Sequence, residues 1–268
     1  MRSCSNSIIR ECLIYIALMG QGHFLKDRAV IVVYMLLAPW RYLFKMTGKQ
    51  YRHSLLRPVT LKNADGLFFC GRSFTSCKAV SWFYEKDMRE HVDLRHGVFV
   101  DIGAHIGKYT VRLARKLGDN GQVVAIEPEK NNFNVLKKNV KLNRLSNIHL
   151  VNAACSDRDG ESPLYVVDQC TTLHSLYANN GKEQVIVKSL TLDTVLSQLN
   201  IERVDLVKID VEGAEVDVIR GSTKALREYH PKIIFEAWNG KHLQETASML
   251  KPFNYEITPL NDENYLAH

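Results

Sequence analysis

The sequence predicts a mostly parallel α/β sheet, covered by helices on both faces, over residues 98–268. Three features predict it. Short apolar runs alternate with segments of helical spacing; the runs carry few polar positions, as strands buried between two helical layers require; and most of them end on an acid beside a turn, at the edge where such sheets bind ligands.

In chain order, VFVDI (98–102) is the first strand. Ile106, Thr110, Leu113 and Leu117 then keep helical spacing until Gly118 and the DNG at 119–121 stop the helix. VVAIE (123–127), followed by a helix with Phe133, Leu136 and Val140 on one face, forms a second unit, and IHLV (148–151) is the third strand. VDLVKID (204–210), a helix through Val216, Ile219 and Leu226, and KIIFEA (232–237) resume the alternation. NYEIT (254–258) and ENYLA (263–267), separated by the turn-rich PLND, predict a closing β-hairpin. Between the third and fourth of these strands lies an excursion of about 160–190: SPLYVV (162–167) and QVIVKSL (184–190) read as antiparallel strands around the loop 168–183. Insertions of this kind often act as lids. Leu192, Val195, Leu196 and Leu199 then form a helical face.

Residues 1–97 differ in kind and form a separate extension, expected to be helical and to cap the substrate side. Residues 1–62 hold ten Lys and Arg against Glu11 and Asp27, a balance of +8, whereas the whole chain carries +6. Two apolar runs, CLIYIALM (12–19) and AVIVVYMLLA (29–38), fall short of a bilayer span, and Pro39 ends the second. Glu11 beside the first run, with no small-residue cleavage site after it, argues against a cleaved signal peptide. Two readings stay open: amphipathic helices packed on the main domain, or a basic apolar surface resting peripherally on an anionic membrane. Charge alone is a weak sign of nucleic-acid binding, and none is expected. Six cysteines without a C-x-x-C pair suit buried thiols of a reduced compartment, hence a cytoplasmic chain.

The strand ends carry the chemistry. Asp101 ends the first strand, Glu127 the second and Asp210 the fourth, leading to Glu212; Glu236 ends the fifth, and Asp157 follows the third. In FVDIGAHIGKYT (99–110), Gly103 and Gly107 let the backbone approach a nucleoside, and Glu127 stands 24 residues past Gly103, where a carboxylate can accept both ribose hydroxyls. A dinucleotide would set its pyrophosphate on the helix N-terminus, where Asp101 repels it, and the third glycine of G-x-G-x-x-G is absent. S-adenosylmethionine has no phosphate, and carboxylates favour its ammonium and sulfonium charges.

Taken in order, FVDIGAHIGKYT, AIEPEKNNFNVLKKNVKLNRLSNIHLVNAACSDRDG, SLTLDTVL and VDLVKIDVEGAEVDVIRGS resemble the FkbM-like family of S-adenosylmethionine-dependent methyltransferases, with KIDVEGAE the most specific block. The resemblance implies a Rossmann-like class I methyltransferase fold, a seven-stranded mostly parallel sheet with a C-terminal hairpin. It also implies methylation of an oxygen on a sugar, glycolipid or related small-molecule acceptor. Under it, Asp101, Gly103, Ala104, His105 and Gly107 line the methionine part of the cofactor and Tyr109 closes over it. Glu127 holds the ribose, Pro128 shapes that turn, Ala154 to Asp157 border the adenine, and Asp210 faces the methyl-donor region. His105 stands where many members carry Asn.

A sugar hydroxyl is a poor nucleophile, so a general base should assist methyl transfer. The candidates, in order, are Asp210, Glu212, then Glu236 and His174 of the inserted loop. A second reading of the acids at 210, 212 and 236 is a divalent-cation site, since oxygen ligands suit magnesium. Glu215 reads as a helix-start acid favoured by the dipole. Two alternatives to sugar O-methylation stay open: a non-catalytic binding protein that keeps the fold, and a methyltransferase for a membrane lipid or other acceptor.

Overall fold

The computed structural model describes residues 14, 16–37, 54–81, 84–166, 176 and 183–268. His174, nearly all of the 168–183 loop, and Cys4, Cys12 and Cys170 lie outside the described residues. The chain divides into two units, one reaching Lys86 and one starting at Asp87.

In the first unit, residues 16–21 are helical and α1 spans Leu25–Leu36. Asp27 caps α1 by accepting from the Phe24 amide at 3.0 Å, and Val30, Ile31 and Tyr34 form its buried face. The extension is not all helical: β1 (Ser54–Asn63) and β2 (Gly66–Ser73) form an antiparallel hairpin. Its turn is set by Asn63, whose side-chain oxygen accepts from the amides of Asp65 (2.9 Å) and Gly66 (3.2 Å). Pro58 disguises the strand, since proline cannot donate to a ladder. The register shifts around Val59 accommodate it. A short helix, α2 (Phe74–Val80), follows under the Ser73 cap, and Cys70 and Cys77 are buried free thiols.

The second unit runs β3 (Gly97–Ile102), α3 (Lys108–Leu117), β4 (Gly121–Ile126), α4 (Lys130–Leu142) and β5 (Ile148–Val151). β6 (Ala154–Cys155), β7 (Gly160–Val166) and β8 (Glu183–Leu190) come next, then α5 (Leu192–Gln198) and β9 (Leu206–Ile209). The chain closes with α6 (Glu215–Arg220), α7 (Thr223–Glu228), β10 (Lys232–Glu236), α8 (Gly240–Leu250), β11 (Ile257–Pro259) and β12 (Asn264–Ala267).

The main sheet has the order β11-β12-β10-β9-β3-β4-β5, parallel from β10 to β5, with β12 antiparallel to both β10 and β11. It is the seven-stranded, mostly parallel sheet with a closing hairpin that the sequence predicts. Val100, Ile102, Val124, Val207 and Phe235 face one buried layer, and Phe99, Val123, Leu206 and Ile234 face the other, beneath α3. Such two-sided burial explains why the strands read as continuous apolar runs. β7 and β8 pair antiparallel, and β8 also takes up β6 in parallel, giving the excursion a small sheet of its own.

One predicted helix is two. The stretch through Val216, Ile219 and Leu226 breaks at Gly221, where a Cβ would lie 2.0 Å from the Ser156 carbonyl oxygen. α7 restarts because the Asp193 carboxylate, from α5, accepts from the amides of Lys224 (2.8 Å) and Ala225 (2.9 Å).

Candidate active site

The chain winds from β3 outward to β4 and β5 on one side and returns to β9 and β10 on the other. The reversal opens a crevice at the carboxyl ends of β3 and β9. Gly103 makes it narrow: at φ +82°, its Cβ would stand 1.8 Å from the Asp210 carbonyl oxygen, so only glycine lets the two loops cross. The amides of Gly103 and Ala104 both donate to the Ile126 carbonyl at 3.0 Å. Gly107, at φ +94°, ends the turn and starts α3, with no room for a Cβ beside Leu136. The turn is thereby clamped between the ends of β4 and β9.

His105 sits at φ +51°, a left-handed conformation in which Asn, Asp and His are enriched. Its backbone amide donates to Glu127 Oε2 at 2.8 Å, and the Glu129 amide donates to Oε1 at 3.0 Å. Glu127 is buried, and burial pushes its carboxyl up to about 7 against the pull of those two amides. The Asn152 side chain, at the end of β5, donates to the Glu127 and Pro128 carbonyls at 2.8 and 3.1 Å and joins the second and third strand ends. Asn152 was not among the residues singled out from sequence; a strand-end amide has no pattern to mark it.

On the other side of β3 lies a cluster that the sequence reading missed at its centre. Lys208 of β9 stands directly across the ladder from Asp101, is 5% exposed, and donates through Nζ to Asp210 Oδ2 at 2.7 Å. Its ammonium also lies 5.0 Å from the centre of the Tyr109 ring. Asp101 accepts from Thr110 Oγ1 at 2.6 Å. Burial raises the Asp101 carboxyl, and Lys208 and Thr110 oppose that rise. Glu236, one residue beyond the last β9–β10 pair, is pushed up to about 7 by burial and then by the Asp210 charge, with Trp238 and Lys208 pulling the other way. The visible signal was one lysine inside VDLVKID, two residues before Asp210 and hence on the same strand face.

Tyr109 is buried with Phe99, Leu113 and Ile234 in the layer beneath α3, its ring beside the Lys208 ammonium. Ala154 is buried in β6, paired with Ser189. Asp157 is exposed, and its charge also acts on Asp217 of α6, while the preceding Ser156 is anchored against Gly221 and the Leu190 carbonyl. Glu212 occupies a half-buried turn position at φ +55°. Glu215 is a brace: fully buried, it accepts from the amides of Val211 (3.2 Å) and Gly213 (3.4 Å), and its other oxygen meets His242 Nε2 at 3.1 Å. That pairing raises the His242 imidazole. Among the described residues no three of His, Cys, Asp and Glu form a metal-holding group, so Asp210, Glu212 and Glu236 are not gathered as the second reading required. The cation within the acid cluster is Lys208.

Beside the 210–213 loop, Trp238 is about half exposed, and its ring would stand 3.4 Å from a Cβ added at Gly213. A polar cavity of about 380 Å³ between α6 and α8 carries Asp217, Arg220, His242 and Glu245 on its walls.

The chain is similar to known methyltransferases. Methyltransferase 1 of Beauveria bassiana is 28% identical over 172 residues, 56% of this chain and 68% of that protein. Methyltransferase sdnD of Sordaria araneosa is 26% identical over 191 residues, 59% of this chain and 73% of that protein. The crystal structure of methyltransferase FkbM from Methylobacillus flagellatus superposes with a TM-score of 0.46 at 15% identity, covering 98% of this chain and 60% of that one. Residues 101–258, more than half of the chain, match the methyltransferase FkbM domain, and the chain belongs to this family of S-adenosylmethionine-dependent methyltransferases.

Proposed function

We propose that the chain methylates a hydroxyl oxygen of a sugar, glycolipid or related hydroxylated acceptor. The observation that carries this reading is the convergence of Asp101, Asp210, Glu236 and the Lys208 ammonium at three adjacent strand ends, beside a turn that only glycine can make at residue 103. Those residues suit S-adenosylmethionine, whose positive charges answer the carboxylates and whose nucleoside carries no phosphate. When bound, the cofactor supplies an already activated methyl group, so the protein's part is placement and proton removal.

In this reading Glu127, held rigid by two backbone amides, accepts the ribose hydroxyls, and Pro128 and Asn152 shape the neighbouring turn. Asp101, Gly103, Ala104, His105 and Gly107 form the wall on the methionine side. The preferred base changes from sequence to structure. Asp210 already gives one oxygen to Lys208, while Glu236 has a carboxyl balanced near neutrality, the condition under which a general base works best. Glu236 is therefore the base, and Asp210 orients the acceptor. The exposed face of Trp238 and the polar cavity beside it offer a flat surface and hydrogen-bonding groups for a hydroxylated ring.

The test is a methyl-transfer screen with deuterated S-adenosylmethionine over sugars, glycolipids, phenols and lipids, read by mass spectrometry. A labelled O-methyl sugar or glycolipid product, formed at least ~100-fold more slowly by Glu236→Gln, is expected. Cofactor binding with labelled product only from a non-hydroxyl acceptor would overturn the reading.

A further inference from the structure

We propose that the N-terminal unit docks on an anionic membrane surface through the outward face of α1. This helix is apolar on both sides. Val30, Ile31 and Tyr34 satisfy the inner face, yet Leu25 (84% exposed), Ala29, Val33 and Leu36 (65% exposed) form a second stripe at helical spacing that points away from the unit. Phe24 and Leu37 extend it at either end. A helix with an apolar stripe on its outer as well as its inner face calls for an apolar environment on both sides. Of the eleven large apolar side chains exposed among the described residues, five (Phe24, Leu25, Val33, Leu36 and Leu37) lie on α1 or at its two caps, so the patch is concentrated and not the scatter of an ordinary surface.

Charge selects the occupant. Lys26 and Arg28 are exposed on α1 beside the stripe, and residues 1–62 carry a balance of +8 while the remainder of the chain is slightly acidic. An apolar stripe edged by basic groups is complementary to a surface that is negative outside and hydrocarbon within. At twelve residues α1 is about 18 Å long, and no described helix is long and apolar enough to cross a membrane, so the helix would lie in the interface plane.

The experiment is vesicle co-sedimentation of the full chain with phosphatidylcholine alone and with 30% phosphatidylserine added. Expected is at least ~10-fold stronger partitioning onto the anionic vesicles, weakened in 0.5 M salt, and a loss of at least ~10-fold in the double variant Leu25→Ser, Leu36→Ser. Both side chains are exposed, so the variant should keep the wild-type Tm and its calorimetric affinity for S-adenosylmethionine; this keeps the outcome separate from the acceptor assignment. Equal binding by wild type and variant overturns the proposal. So does a chain that ignores both vesicles but sediments as a dimer that the variant dissolves, which would make the stripe an interface between copies.

Discussion

Glu127 and Asp101 stand on adjacent strands, both buried, both pushed upward by loss of water, and they are held by opposite means. Glu127 is pinned by backbone, with one amide on each oxygen from residues 105 and 129. Asp101 is balanced by side chains, a threonine hydroxyl from α3 and a lysine ammonium across the ladder. A backbone-pinned carboxylate owes its geometry to the turn and survives most substitutions nearby. A charge-balanced one depends on a distant residue, and losing that residue leaves an uncompensated buried charge.

The largest effect should therefore come from Lys208→Met. It strands Asp101 and Asp210 without their cation, and a loss of about 3–5 kcal/mol is expected. Denaturant titration should find the loss greater at pH 8 than at pH 5, because the stranded carboxyls escape their charge by taking up protons. A loss independent of pH would break the distinction between the two sides. Next is Gly103→Ala, which forces a Cβ onto the Asp210 carbonyl at positive φ. The expected cost is about 3 kcal/mol, read as a lowered Tm together with weakened cofactor binding, since both carboxylates meet at this seam.

Glu127→Gln should weaken S-adenosylmethionine by about 2 kcal/mol in calorimetry, the scale of hydrogen bonds to a charged group. The pH dependence has a definite sign. A carboxyl held near 7 in the fold and near 4.5 unfolded contributes stability below about 4.5 and loses it as pH rises through 7. The ionised form is the better acceptor for ribose hydroxyls, so wild-type affinity should climb between pH 6 and 8 and the Gln variant should stay flat. The smallest change is Thr110→Val, which removes the 2.6 Å bond to Asp101 but leaves Lys208 in place. About 1–2 kcal/mol in chemical denaturation is expected; no measurable loss would show that the ammonium alone balances Asp101.

The Glu127 side was legible beforehand because everything holding it is local: a strand, a glycine turn that tolerates His105 at positive φ, and an acid at the next strand end. The Lys208 side was half legible. Its acids could be read from strand ends, but which of them is paired depends on β9 lying beside β3, a neighbour more than 100 residues away. Asp157 shows the converse. It follows a strand end in sequence, and only the fold reveals that its charge reaches Asp217 of α6. The hairpin at 54–73 was hidden by Pro58, whose effect on a strand depends on whether a bulge absorbs it.

The sequence by itself determined the alternation of strands and helices, the glycine turn, the acidic strand ends and the family, because periodicity, backbone conformation and residue chemistry act over a few neighbours. Only the tertiary structure decided which acid pairs with Lys208, what balances Asp101, and that Tyr109 is buried beneath α3. Those outcomes depend on strand order and helix packing, and charge balance and burial are properties of residues brought together from across the chain.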